Sequence, residues 1–261
     1  MEKVRRFFKE YKFLVALVLL GILIYSNTFQ SSFHFDDEIY ILENYSIRNI
    51  WNLRGIWDFF PTRFVAFFTF ALNYTFHRFH LFGYHLVNLI IHLGASILTW
   101  WFIRLIFETP AIKKHRLSEY KSSISLFAAF LFLSHPIQTQ AVTYIWQRCT
   151  SLVAFFYLFS LCFYFKSRLL QGIKNAASRE NTFYNLSLGS GVLALFTKEN
   201  ALTLPLIVLL CEFYFFKETR PIKWKKVIPF FCLWPIIPFV LLLTKSPRQF
   251  YSRSENRDQR P

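Results

Sequence analysis

The 261-residue chain is 54% hydrophobic and 21% aromatic, with Phe at 34 positions and charged residues at only 17%. A soluble domain of this length buries a core with far less apolar material, so the excess excludes an ordinary water-soluble globule and points to lipid as solvent. A formal net charge of +15 would suit nucleic acid, but the basic clusters alternate with apolar runs, the pattern of topology determinants, so no nucleic-acid partner is expected.

Residues 1–12 carry Lys3, Arg5, Arg6, Lys9 and Lys12 and lead into a continuous apolar run, 13–25. A cleaved signal peptide would begin in the same way, yet Ser26-Asn27-Thr28-Phe29-Gln30 offers no small-x-small cleavage site. An uncleaved first transmembrane helix is expected.

Residues 28–82 are mixed and form the first outer loop. Asp36-Asp37-Glu38 opens it, and Trp51, Trp57 and Phe59 follow before Pro61-Thr62-Arg63 starts an aromatic run to Phe76. Aromatic side chains at this density favour the membrane interface, so two interfacial helices are expected, at about 46–59 and 63–77. Pro61 suits the start of the second.

The later apolar runs fall at about 83–107, 122–135, 150–165, 184–198, 201–216 and 227–244. Several are nearer 15 residues than the roughly 20 that a perpendicular span needs, and snorkelling Lys and Arg make up the difference. The expected fold is all-α and polytopic, with seven spans in one module over 1–245 and a polar tail over 246–261.

Setting aside the C-terminal tail, with Lys245, Arg248, Arg253, Arg257 and Arg260, basic residues crowd four segments, before residue 13, at 104–121, at 166–179 and at 217–226. Between them they thin to Arg48, Arg54, Arg63, Arg78, Arg148 and Lys198. The positive-inside rule then predicts a cytoplasmic N-terminus, in a bacterial inner membrane or an endoplasmic reticulum. The acidic triplet would face the periplasm or the lumen. The cytoplasmic side should hold only basic, solvated loops.

Chemistry is therefore sought on the outer face. Asp36, Asp37 and Glu38 are either solvated residues beyond a helix end or a general base or cation site where membrane meets water. The segment 135–148 is either a connecting loop or the polar wall of a pocket, with His135 at one end and Arg148, able to grip a phosphate in bidentate fashion, at the other. Lys198 and Glu199 sit in so short a turn that they stay near the membrane plane, as a tight hairpin or as a lipid-phosphate contact. His85, Asn88 and His92 share one helix face. Interhelical hydrogen bonding explains Asn88 and His92, while His85, nearer the outer end, remains a site candidate.

Cys149, Cys162, Cys211 and Cys232 have neither disulfide nor zinc spacing and read as small apolar residues. No further ligand joins the histidines, so no metal or other cofactor is expected; a divalent cation at the acidic triplet is the alternative. Gly-rich phosphate loops, GxSxG and HExxH are absent. Asn44-Tyr45-Ser46 and Asn73-Tyr74-Thr75 fit the glycosylation sequon.

Taken together the motifs resemble a known family. Phe35-Asp36-Asp37-x-x-Tyr40-Ile41-x-x-Asn44, Arg63 with Phe70-Ala71-Leu72-Asn73-Tyr74, and Gly83-Tyr84-His85-Leu86-x-Asn88-x-x-x-His92 occur in order. His135-Pro136-Ile137-x-Thr139-x-Ala141-Val142-x-Tyr144-Ile145-x-x-Arg148 and Lys198-Glu199-x-x-x-Thr203-Leu204-Pro205 continue the series. The set resembles the polytopic GT-C glycosyltransferases, above all the branch in which membrane helices precede tetratricopeptide repeats and which includes transmembrane O-mannosyltransferases. The resemblance covers roughly residues 15–245.

It implies a seven-helix module that transfers a mannose-like sugar, with inversion, from a polyprenyl-phosphate carrier to a protein or glycan hydroxyl on the non-cytoplasmic face. Asp36 or Asp37 would take the acceptor's proton. Arg63, Arg148 and Lys198 would hold the lipid phosphate, with Glu38, His85, His135 and Glu199 completing the substrate site. Two departures stand out: Gln140 replaces a Glu carried by many relatives, and a polar tail stands where relatives continue into further helices and repeats. They give the rival expectation of a truncated, non-catalytic membrane scaffold. A transporter comes third, because its charges would line a path across the bilayer rather than gather at one face.

Overall fold

The computed structural model describes residues 2–216 and 221–244, with side chains from Lys12 onward. The polar tail, Lys217 and Arg220 lie outside the described residues. The helices are α1 (Glu2–Ile24), α2 (Leu53–Phe59), α3 (Phe64–His77), α4 (Leu81–Glu108), α5 (Pro110–Lys113) and α6 (Lys121–Ser134). They continue with α7 (Gln138–Thr143), α8 (Arg148–Leu170), α9 (Ala177–Leu195), α10 (Leu204–Cys211), α11 (Trp224–Phe231) and α12 (Ile236–Leu243). Among the described residues there are no strands.

Five stretches are long and apolar enough to cross a membrane: Lys12–Gln30, Leu81–Glu108, Ile145–Leu170, Glu199–Phe216 and Trp224–Leu243. The other two expected spans are helical but do not qualify. α6 has 14 residues, about 21 Å at the helical rise, against a hydrocarbon core of about 30 Å. α9 is long enough, but its first turns carry Arg179, Glu180, Asn181 and Thr182. The last two spans are also less regular than their composition suggests. A π-helical turn, Glu212–Phe216, follows α10, and the chain turns at Cys232–Pro235 between α11 and α12.

Helix α4 is central. It packs along α6 and α8, and α8 packs along α9. Its starting turn is held by Gly83, where a Cβ would come within 2.4 Å of the His77 ring and whose carbonyl accepts the Asn73 side-chain amide at 3.0 Å. Tyr84 and His85 are thereby fixed beneath the first loop.

Of the two helices expected in this loop, the second is present as α3 over nearly the expected range, and the first is broken into a short turn and α2. A 3-10 turn, Tyr45–Arg48, precedes α2, and another, Pro61–Arg63, precedes α3. α3 buries Ala66, Phe67, Phe70 and Ala71 against Ile41, Ile47, Ile56, Tyr84 and Trp146. At its start the Val65 N–H donates to the Phe196 carbonyl at 3.0 Å, so one orphan donor of α3 is satisfied by the end of α9.

The expectation that the basic end holds only solvated loops is corrected. Arg168 is fully buried and paired with Glu212, also fully buried, which further accepts the Tyr164 hydroxyl at 2.9 Å. Lys226 bridges Glu180 and Ser167, each at 2.7 Å. A charge this deep in a bundle persists only when partnered, and those carboxylates lie far along the sequence from the cations they neutralise.

Candidate active site

The first loop folds around the carboxylate of Asp37. Its Oδ2 accepts the His34 backbone N–H at 3.0 Å, and its Oδ1 accepts the Trp146 backbone N–H at 2.7 Å. The side chain is fully buried. Burial pushes its pKa up to about 6, against the opposing pull of those two backbone donors and of the His34 side chain.

Asp36 is only half-buried. Its backbone N–H donates to the Tyr144 hydroxyl at 3.0 Å, and its carboxylate interacts with the same phenol. Burial, followed by that carboxylate, raises Tyr144 to about 12. Between these residues and His34 stands Phe35, with φ at 47° and 85% exposed. A bulky residue in the left-handed region is an uncommon, strained conformation. Glu38 is exposed and opens a π-helical turn, Glu38–Leu42.

Trp146 joins this loop to the cations. Tyr40 stacks on it at 4.1 Å with planes 7° apart, and the Arg63 guanidinium lies 5.4 Å from its ring centroid. Arg63 also covers Phe60 and pairs with Glu199 at 3.3 Å. Glu199 in turn accepts the Thr62 hydroxyl at 3.0 Å. Lys198, in the same turn, donates to Thr150 at 2.7 Å. Trp146 thus ties Asp37 to Arg63 and through it to Glu199, while Asp36 is held by Tyr144 and Lys198 by the first turn of α8.

The remaining candidates are placed differently. Arg148 is fully buried, and its nitrogens donate to the Asn88 side chain at 2.7 Å and to the Tyr84 and Thr69 carbonyls at 3.0 and 3.3 Å. It clamps α3, α4 and α8 over the Phe70 ring. His85 is also buried, with Nε2 2.9 Å from the Ser31 carbonyl and Nδ1 without a hydrogen-bond partner. It supports the loop from below. His135 is exposed, and its Nδ1 accepts the Ile137 N–H at 3.3 Å. Asn88 and His92 make the interhelical bonds expected of them, to Val142, Ile145 and Leu133.

Both sequon asparagines are buried: Asn44 binds Ser46 and the Tyr40 carbonyl, and Asn73 binds Gly83. Among the described residues no group of three or more His, Cys, Asp and Glu could hold a metal ion.

The arrangement, an accessible carboxylate beside a phenol with two cations a few side chains away, suits proton removal next to a departing anion. Comparison with known proteins bears on whose arrangement it is. The chain is 28% identical over 199 residues to the human protein O-mannosyl-transferase TMTC4, covering 70% of this chain and 27% of the relative. It is 30% identical over 225 residues to the Drosophila melanogaster protein O-mannosyl-transferase Tmtc3, covering 77% and 24%. Human protein O-mannosyl-transferase TMTC2 matches at 25% over 226 residues, covering 80% and 24%.

The chain is a homologue of the protein O-mannosyl-transferases. It spans about a quarter of the length of these curated relatives. No family profile and no solved structure matches it. Together with five helical stretches long and apolar enough to cross a membrane, the homology makes the chain an integral membrane protein.

Tyr144 and Trp146 also belong to this arrangement, through contacts to Asp36, Asp37, Tyr40 and Arg63. Both lie in the segment 135–148, between its ionisable ends His135 and Arg148. Trp146 acts through its backbone N–H as well as its ring, and a backbone donor leaves no mark in side-chain composition.

Proposed function

We propose that the chain is the sugar-transferring membrane module of a glycosyltransferase that moves a mannose-like sugar from a polyprenyl-phosphate carrier to a protein or glycan hydroxyl. The observation that carries the reading is the pairing of a half-buried Asp36 with a buried Asp37 whose two oxygens are held by backbone amides. Asp36, accessible and beside Tyr144, takes the acceptor proton. Asp37 fixes the loop and is a positioning residue.

As the acceptor oxygen forms its bond to the anomeric carbon, the carbon–oxygen bond to phosphate breaks on the opposite face. The phosphate leaves with the electron pair, and the anomeric configuration inverts. Arg63 and Lys198 stabilise the charge that develops there, a role for which preorganised cations are suited. Glu199 holds Arg63 in place until the phosphate arrives, and Glu38 and His135 line the exposed rim. Arg148 and His85, both buried, position the loop rather than touch substrate.

The seven-span arrangement, a cytoplasmic N-terminus and an active face on the other side belong to the same proposal, supported by the distribution of Lys and Arg. So does the division into a module over 1–245 and a tail over 246–261.

Transfer of labelled mannose from a polyprenyl-phosphate donor to hydroxyl acceptors, measured on the purified chain, tests the reading. Asp36→Asn should lower the rate by at least about 100-fold. Wild-type rates in both Asp36→Asn and Asp37→Asn would defeat the catalytic assignment.

A further inference from the structure

Helix α4 carries His85 near one end and Arg104 near the other, about 28 Å apart at the helical rise. At that far end a cavity of about 360 Å³ opens between α4 and α8. Its walls include Ile97, Trp100, Trp101, Arg104, Glu108 and Lys166. The size is within the range of small-ligand sites.

The wall is graded in polarity. Ile97 lies on the side of the cavity nearer the middle of the span Leu81–Glu108, and Glu108 closes the opposite end. Trp100 and Trp101 fall between, and the Arg104 guanidinium lies 4.9 Å from the Trp100 ring centroid. Lys166 faces it from the neighbouring helix. Apolar wall, then tryptophan, then cation is the order in which a phospholipid presents acyl chain, glycerol region and phosphate. A soluble anion would use the cations but has no need of the apolar wall.

We propose that this cavity binds an anionic phospholipid, with Arg104 and Lys166 on the headgroup phosphate and the first acyl segment along Ile97 and Trp101. Glu108 at the rim is exposed to solvent. The site does not depend on the sugar-transfer reading, because it lies at the other end of the bundle and uses none of the same residues. Basic pockets between membrane helices are suited to such headgroups.

Native mass spectrometry of the full chain from nanodiscs containing phosphatidylglycerol and phosphatidylcholine reads the proposal. Retention of phosphatidylglycerol over phosphatidylcholine is expected. It should fall roughly tenfold in the Arg104→Gln/Lys166→Gln double variant, since each basic residue near the lipid surface contributes separately. The equally charge-depleted Lys113→Gln/Lys114→Gln variant should retain lipid as the wild type does.

Equal loss in both double variants would make the effect general surface charge and overturn the site. Equal retention of the two lipids would do the same, and displacement by millimolar inorganic phosphate would reassign the cavity to a free anion. A photoactivatable phosphatidylglycerol, cross-linked to the wild-type chain, covers the case in which the double variant does not fold. Label within 97–108 and at 166 is expected, and label elsewhere only would overturn the proposal.

Discussion

The Asp37 carboxylate receives the backbone N–H of Trp146 from 109 residues downstream, at 2.7 Å. That bond closes the first loop onto the start of α8. Because the donor is main chain, the contact survives any change of the Trp146 side chain that leaves the backbone in place, whereas it is lost with the Asp37 oxygens. The ring of the same residue carries Tyr40 on one contact and Arg63 on another. One residue therefore sets the spacing between the carboxylates and the cations.

The raised pKa of Asp37 gives a sign that can be checked. Its folded value, about 6, lies above the ordinary 3.8, so the fold binds the proton more tightly than the unfolded chain does. The associated stabilisation is complete below about pH 3.8 and is lost as the pH rises through about 6. The melting temperature of the wild type relative to Asp37→Asn should therefore decline between pH 4 and pH 7. A difference that is flat over this window, or rises, would refute the burial of an ionisable carboxyl there.

Arg148 is expected to matter for folding before it matters for turnover. Asn88→Leu removes the acceptor of its Nε and leaves part of a buried charge unpaired, at a cost of about 3 kcal/mol. Substitution of an exposed cation such as Lys114 should cost less than about 0.5 kcal/mol. Denaturation midpoints of the two variants in the same detergent give the comparison. Similar values would show that the clamp around Arg148 is not what holds α3, α4 and α8 together.

The Arg63–Glu199 pair has side chains 20% and 37% exposed, so its coupling in a double-mutant cycle should be at most about 1 kcal/mol. Its effect on substrate should be larger and opposite for the two partners. Arg63→Gln raises the donor KM about tenfold or more, while Glu199→Gln lowers it, because Glu199 competes with phosphate for the guanidinium. A raised donor KM in Glu199→Gln would contradict competition and point to alignment instead.

Membrane sidedness is open to cysteine labelling. Trp51 is 87% exposed and Lys114 is exposed, whereas Asn44 is buried and unsuitable. Cys232 is exposed and should first be changed to Ser; Cys149, Cys162 and Cys211 are buried. Trp51→Cys is expected to react with an impermeant reagent from the non-cytoplasmic side and Lys114→Cys only from the cytoplasmic side. The opposite pattern would invert the proposed orientation.

Helix type and order were legible because apolar runs report directly on burial. Asp36, Asp37, Arg63, Lys198 and Glu199 stood out as candidates because charge is rare in this chain. What pairs with what was not. Arg148 and Arg63 look equivalent as letters, yet one is sealed by Asn88, Tyr84 and Thr69 and the other stays within reach of solvent. Arg168 and Lys226 belonged to the basic clusters that read as solvated, and only packing of α8 against the π-helical turn, and of α9 against α11, brings Glu212 and Glu180 to them. The breaks in the last two spans fall at Glu212 and at the turn ending on Pro235, single residues inside otherwise apolar runs.

The hydrogen bond from Val65 to Phe196 joins the loop to the bundle without using either side chain. Sequence drift at both positions can therefore be wide, in size and polarity, without loosening the joint. Proline at position 65 is a different matter, since it lacks the donor. Among homologues the joint would then show itself as a forbidden residue type rather than a preferred one.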